Sequence, residues 1–286
     1  MLRTTFLMAL MTIILVYMGD YFGGAGGMTF MLAFSLISNF VMYWNSDKIV
    51  IAQYRATKVD ASTEPVLYGI VQKLAQKGNL PMPKVYIVNS AVPNAFATGR
   101  NPEHAAVCVT TGIMNILTPS EIEGVLGHEL SHVKHGDILI GSVAAAMAGV
   151  ISMVARFGMF FGGGRRDDRN SSPIMGLLVL ILAPLAAMII QLAISRSREY
   201  MADHSGGALC GNPDALADAL EKLEGINRQR TLPGASQATA HMFIVSPFSA
   251  QDAKAMFSTH PSTADRVKRL RQEAQDMRNG EVVNFA

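Results

Sequence analysis

Charged side chains are scarce in this chain. They make up 16% of its 286 residues, while apolar residues make up 50%; an ordinary soluble domain carries about 25% charged residues. The formal net charge of +2 is too small to hold a polyanion, which sets nucleic acid aside as a partner. Cysteine is nearly absent. Cys108 and Cys210 stand far apart with no C-x-x-C, which excludes a disulfide framework and a cysteine zinc site and leaves each as a small buried hydrophobe. Gly162-Gly163-Gly164 is not followed by G-K-[ST], so it is no phosphate-binding loop.

The apolar residues gather into four blocks, which point to membrane spans. Block 5–18 follows Arg3; it is short for a span, lacks a small-x-small cleavage site, and reads as an uncleaved anchor. Block 28–44 ends in the interfacial pair Tyr43 and Trp44. Blocks 138–161 and 174–194 reach the roughly 20 residues that a spanning helix needs. In the third block Ala144, Ala145, Ala146 and Gly149 suit close helix packing, and Arg156 near its outer end reads as a snorkelling side chain. Pro184 in the fourth is tolerated where neighbouring helices satisfy the freed carbonyl.

Orientation follows from the basic flanks. Lys48, Arg55, Lys58, Lys134, Arg196 and Arg198 lie on one side, and the 20–27 loop holds no Lys or Arg. Arg165, Arg166 and Arg169 in the 162–173 loop dissent, but four flanks outvote one loop. The chain then divides into two N-terminal spans (1–44), a cytoplasmic part (45–137), a membrane hairpin (138–194) and a second cytoplasmic part (195–286).

Within the soluble parts, 64–76 has helical spacing and Gly78 ends it. Residues 85–88, 94–98 and 105–110 read as strands, the last two joined by a Gly99–Pro102 turn. A short helix covers 113–117. Thr118, Pro119 and Glu121 form a helix start with a capping-box pattern, and that helix ends near Gly136. Further helices cover 198–208, 214–227 and a segment capped by Ser262 or Thr263, with Val267, Leu270 and Met277 on its apolar face. The run Arg266, Lys268, Arg269 and Arg271 reads as a solvated face, with a lipid contact as the alternative. Residues 231–247 are polar and small, with little periodicity, and read as a mobile loop.

The helix begun at Thr118 carries His128-Glu129-Leu130-Ser131-His132. Residues four apart share a helix face about 6 Å apart, so both imidazoles can bind one zinc ion while Glu129 reaches a water on it. With 7 histidines in the chain, this pattern arises by chance on the order of 0.01 times. Catalytic zinc takes three protein ligands and leaves a position for water. An extended H-E-x-x-H-x-x-G-x-x-H is excluded, because His135 and Ile138 stand at the Gly and final His positions. Glu199 is the outstanding third ligand: the membrane hairpin returns the chain to the face it left, close to His132. Asp203, one turn after Glu199, can accept a hydrogen bond from the outer nitrogen of a ligand histidine.

The H-E-L-S-H helix, the two following apolar blocks and Arg198-Glu199-Tyr200-Met201-Ala202-Asp203 resemble the HtpX family of bacterial heat-shock membrane proteases, relatives of the CAAX prenyl proteases. The Pro93–Ala97 segment and His260-Pro261-Ser262 leading to Arg266 also match. The resemblance implies a mainly α protein with a small β-sheet: an integral membrane zinc metallopeptidase of zincin-like (gluzincin) type with about four spans. It implies one zinc ion on His128, His132 and Glu199, Glu129 as general base and Asp203 supporting a ligand. Asn94 would lie beside the cleft, and His260 and Arg266 near the site, where either could steady an oxyanion. It further implies an inner-membrane, cytoplasm-facing endopeptidase acting on misfolded or damaged membrane proteins.

In that reaction Glu129 takes the proton of the attacking water and passes it to the leaving amine. A substrate strand pairs with the edge near 94–98, which reads main chain rather than sequence. Two rival readings stand beside this one, a narrow processing protease and a non-catalytic zinc-binding scaffold or transporter. Blocks two to four contain no His, Asp or Glu, which leaves a transmembrane metal path almost nothing to bind.

Overall fold

A computed structural model describes residues 2–145, 196–229, 243–245 and 261–280. Blocks three (beyond residue 145) and four, Arg156, the 162–173 loop and His260 lie outside them.

The first helix, α1 (Leu2–Gln53), is broken at Gly24 and bent at Asn45. Gly24 has φ 55° and ψ −150°, a left-handed conformation that glycine adopts without steric penalty. The break folds α1 into two limbs that pack together. Asn39 Nδ2 donates to Met8 O at 3.3 Å and Thr12 Oγ1 at 2.9 Å, and a Cβ on Gly19 would stand 2.4 Å from Gly27 O. The limbs Thr4–Tyr21 and Gly23–Gln53, each with mean hydropathy 1.5, are long and apolar enough to cross a membrane. Phe6, Ile13, Phe30, Phe34, Ile37 and Phe40 point outward and stay exposed, as lipid-facing side chains do. The first two apolar blocks are thus helices, the second running on well past Trp44.

The small sheet comprises β1 (Thr57–Val59), β2 (Lys84–Val88), β3 (Ala95–Thr98) and β4 (Ala106–Thr110), in the order β1-β2-β4-β3. β2 and β4 are parallel; β1 pairs β2 and β3 pairs β4 antiparallel. β3 is therefore an edge strand. Three strands stand where the sequence reading puts them, over 85–88, 94–98 and 105–110. β1 gives no such signal, because two of its three residues are exposed and it is held by its pairing with β2.

The helices that pack on this sheet are α2 (Pro65–Gly78), α3 (Thr111–Ile116) and α4 (Pro119–Lys134). The left-handed residue closing α2 is Asn79 (φ 52°) rather than Gly78, which is buried in the last turn. α4 starts with a complete capping box: the Thr118 side chain accepts from Glu121 N–H and the Glu121 carboxylate accepts from Thr118 N–H. A further helix, α5, begins at 138 and is described to 145. Leu139, Ile140, Val143 and Ala144 pack there against Leu7, Met8, Met11, Met42 and Tyr43 of the α1 hairpin, so the base of the third apolar block lies against the first two.

Helices α6 (Arg196–Cys210), α7 (Pro213–Gln229) and α8 (Thr263–Arg278) complete the fold. Leu126, Leu130, Leu216, Leu220, Leu223 and Leu270 form a core between α4, α7 and α8, continuous with Leu74, Val85 and Val107 below. Two expectations are corrected. Arg266 lies on the buried face of α8 at 1% exposure, not on a solvated one, because an acidic partner awaits it. Arg271 engages Asp214, Asp218 and Glu221, leaving Lys268 and Arg269 exposed. Phe243, Ile244 and Val245, inside the stretch read as a mobile loop, are buried in the core; three consecutive apolar side chains outweigh their polar surroundings.

Candidate active site

The site forms where α4 crosses α6. The crossing is close because it is lined with glycine: a Cβ on Gly127 would stand 2.8 Å from Gly206 O. His128, next to Gly127, therefore meets Glu199 and Asp203, seven and three residues before Gly206, directly. His128 Nε2 lies 3.2 Å from His132 Nε2. Glu199 Oε2 is 3.8 Å from His128 Nε2, and Oε1 is 3.6 Å from His132 Nε2. His128, Glu129 and Glu199 are all buried.

Each imidazole has a carboxylate at its outer nitrogen. His128 Nδ1 is 2.8 Å from Asp203 Oδ1, and His132 Nδ1 is 3.5 Å from Asp137 Oδ2. A carboxylate there favours Nδ1–H and turns the Nε2 lone pair inward. Each carboxylate in turn has an arginine. Arg266 Nε and Nη2 grip Asp203 at 2.8 and 2.7 Å, and Nη1 donates to Ile244 O at 2.6 Å. Arg198 Nη1 reaches Asp137 Oδ1 at 3.2 Å. All three Arg266 nitrogens are thus engaged behind His128.

Glu129 points toward β3, where its Oε2 accepts a hydrogen bond from Ala97 N–H at 3.0 Å. Asn94 stands at the head of the same strand, 2% exposed, its N–H on Thr110 Oγ1 and its carbonyl on Thr110 N–H. Asp137 carried no flag in the sequence, and Arg198 figured there as a basic flank and in the Arg198–Asp203 motif rather than as a site residue. The available signal was an acid closing the turn after the second histidine, and an arginine just past the fourth apolar block.

The electrostatics favour a cation. Burial pushes the Glu129 carboxyl up, with Glu199 adding to it and the two histidines opposing. Burial works against a charged His132, but Asp137, Glu199 and Glu129 outweigh it and push the imidazole up to about 9. Burial would likewise raise Asp203, yet the Arg266 guanidinium holds it below the usual carboxylate range.

The donor set fits a metal ion. Two inward-facing Nε2 atoms and a carboxylate converge, with one ligand atom from each of His128, His132 and Glu199 within 4.8 Å of the others. Acceptors so placed repel one another unless a cation lies between them. Two nitrogens at 2.0–2.1 Å from a tetrahedral zinc would be about 3.3–3.4 Å apart, close to the 3.2 Å seen here.

A two-histidine, one-glutamate cluster across two helices, with a second glutamate bonded to an edge strand, defines a metal-dependent peptidase. Residues 61–274 match Peptidase family M48, and the chain belongs to that family. The Protease HtpX homolog of Syntrophotalea carbinolica is 52% identical over 273 residues, covering 94% of this chain and 97% of its own. That of Methylibium petroleiphilum is 50% identical over 272 residues, covering 94% and 96%. The crystal structure of S. mikatae Ste24p shares the fold, with a TM-score of 0.51 at 16% identity. The likeness covers 91% of this chain and 62% of that one.

Proposed function

We propose that this chain is a membrane-embedded zinc endopeptidase that hydrolyses misfolded or damaged membrane proteins at the cytoplasmic face. The observation that carries the reading is the convergence of His128 Nε2, His132 Nε2 and the Glu199 carboxylate at 3.2–3.8 Å, beside a glutamate held on a strand edge.

His128, His132 and Glu199 would hold the ion. When bound it supplies Lewis acidity, which brings the pKa of a water from 15.7 toward about 7 and polarises a carbonyl. Glu129 takes the proton of the attacking water and gives it to the departing amine; its raised pKa suits a group that must both accept and release a proton. Asp203 fixes the His128 tautomer, and Arg266 keeps Asp203 ionised and oriented. Substrate main chain adds to the edge strand β3, with Asn94 at its head; the resemblance offers His260, outside the described residues, or Arg266 for steadying the oxyanion. Main-chain pairing carries little side-chain selectivity, as a quality-control protease requires.

The membrane arrangement has its own support. α5 begins directly after Asp137, α6 is described from Arg196 onward, and Asp137 and Arg198 touch at 3.2 Å. The chain leaves and returns at one point, as a hairpin of two spans over 138–194 does. The deciding experiment is cleavage of an unfolded membrane protein by the full chain in detergent, with zinc, with chelator, and by Glu129→Ala. Cleavage should need zinc, and Glu129→Ala should keep the metal and lose activity. Normal proteolysis by that variant would overturn the assignment.

A further inference from the structure

The base of α5 touches both halves of the site. At one end is Asp137, whose N–H donates to His132 O at 2.9 Å. Its side chain faces His132 Nδ1 at 3.5 Å and takes Arg198 at 3.2 Å. Further along is Ser142, 1% exposed. Its hydroxyl accepts from Gly99 N–H at 2.9 Å, lies 2.7 Å from Ile138 O and 3.3 Å from Gly99 O, and shares a hydrogen bond of 2.8 Å with the Thr98 hydroxyl.

Those contacts fall at the end of the substrate-side strand. Thr98 is the last residue of β3 and follows Ala97, whose N–H holds Glu129. Gly99 turns the chain with φ 142°, where a Cβ would meet His104 O at 2.5 Å; the turn has no room to slide. β3 is an edge strand with a sheet partner on one side only, so this anchor fixes what the sheet leaves loose. His132 sits in the last turn of α4, where a helix frays most readily.

We propose that residues 137–142 form a two-point strut. Asp137 positions His132, Ser142 positions the end of β3, and the rigid helix between them sets the spacing of metal cluster and substrate strand. Neither residue touches the reacting atoms; both are positioning residues. The inference rests on the peptidase reading and adds a physical link from the third span to the site, so metal affinity and substrate pairing are both tied to the seating of that helix.

The two ends predict separate failures. In the full-length protein in detergent, Asp137→Ala should weaken zinc binding about 10–100-fold, read by competition with a chelator of known affinity, and lower kcat with KM nearly unchanged. Ser142→Ala should leave zinc affinity at the parent value and raise KM for an unfolded substrate roughly tenfold, because it frees a buried N–H at the strand end. Thr98→Val keeps the side-chain shape and removes one of the two bonds from Ser142 to the strand end, leaving Gly99 N–H on Ser142, and should raise KM in the same direction by less. Parental zinc affinity in Asp137→Ala, or parental KM in both hydroxyl variants, overturns the strut. So does an equal loss of both properties in every variant, which marks general loosening. A parent chain that neither binds zinc nor cleaves overturns the peptidase reading instead.

Discussion

Gly206 on α6 lies against the backbone of His128 on α4, where a Cβ would stand 2.6 Å from the His128 nitrogen and 2.8 Å from its Cα. Glu199 and Asp203 lie seven and three residues earlier on the same stripe of α6. The missing side chain at 206 is therefore what lets both carboxylates reach the imidazole. Gly206→Ala adds helix propensity of about 1 kcal/mol, but the obstructing atoms are backbone and cannot rotate away. Overpacking of this kind costs typically 1–3 kcal/mol. The variant should melt several degrees lower than the parent in a thermal scan and bind zinc more weakly. An unchanged melting temperature would show that the helices separate without cost.

Among the described residues Arg266 is the one arginine or lysine on Asp203, and both are buried. Removing one partner of such a pair strands a charge and costs about 3–5 kcal/mol. Arg266→Ala should therefore lose stability heavily, and with Asp203 no longer held, zinc affinity should fall. Arg266→Lys keeps the charge but loses the two-pronged grip and the third bond to Ile244 O, so it should lie between the two. Measured zinc affinities that rank Lys level with Ala would mean that charge contributes nothing beyond geometry.

That His128, His132 and Glu199 come together beside Glu129 was legible because H-E-x-x-H depends on helix periodicity alone and a third candidate could be sought just beyond the fourth apolar block. Asp203 followed from the same periodicity. Asp137 was not legible: its partner lies five residues back across a turn, and turn geometry is not written in a hydrophobic pattern. Arg266 was flagged through the resemblance, while its charge run read as a solvated face. The run hid that one of its members pairs 63 positions away with Asp203. β1 stayed unseen because it has a single sheet neighbour and mostly exposed side chains.

The capping box at Thr118 is local and separable from the chemistry. Thr118 and Glu121 satisfy each other's backbone N–H at the start of the helix that carries both histidines, and Lys222 from α7 adds a bond to Glu121 at 2.9 Å. Thr118→Ala should cost about 1 kcal/mol of stability. Zinc affinity and KM should stay at parental values, since His128 is more than two turns away. A fall in zinc affinity together with stability would mean that the start of the helix and the metal site do not melt independently.

Glu273 carries a pH dependence that can be tested apart from catalysis. It lies on the buried face of α8, with its Oε2 3.3 Å from His204 Nδ1 on α6. Burial first, then Asp203 on α6 and Asp276 on its own helix, push the carboxyl from 4.5 up to about 7; Arg269 opposes them weakly. His204 gives no charge in return, because burial lowers its own pKa and keeps the imidazole neutral near pH 7. The folded state therefore prefers the protonated acid. Below about pH 4.5 the acid is protonated folded and unfolded, and it carries no penalty. As pH rises from there to about 7 the unfolded chain releases the proton first, and stability falls across that window at up to about 1.4 kcal/mol per unit. Glu273→Gln removes the titration while keeping the size. It should melt at the parental temperature near pH 4.5 and several degrees higher at pH 7.5. Melting curves that run parallel to the parent's across that range would show that the carboxyl is already ionised in the folded protein.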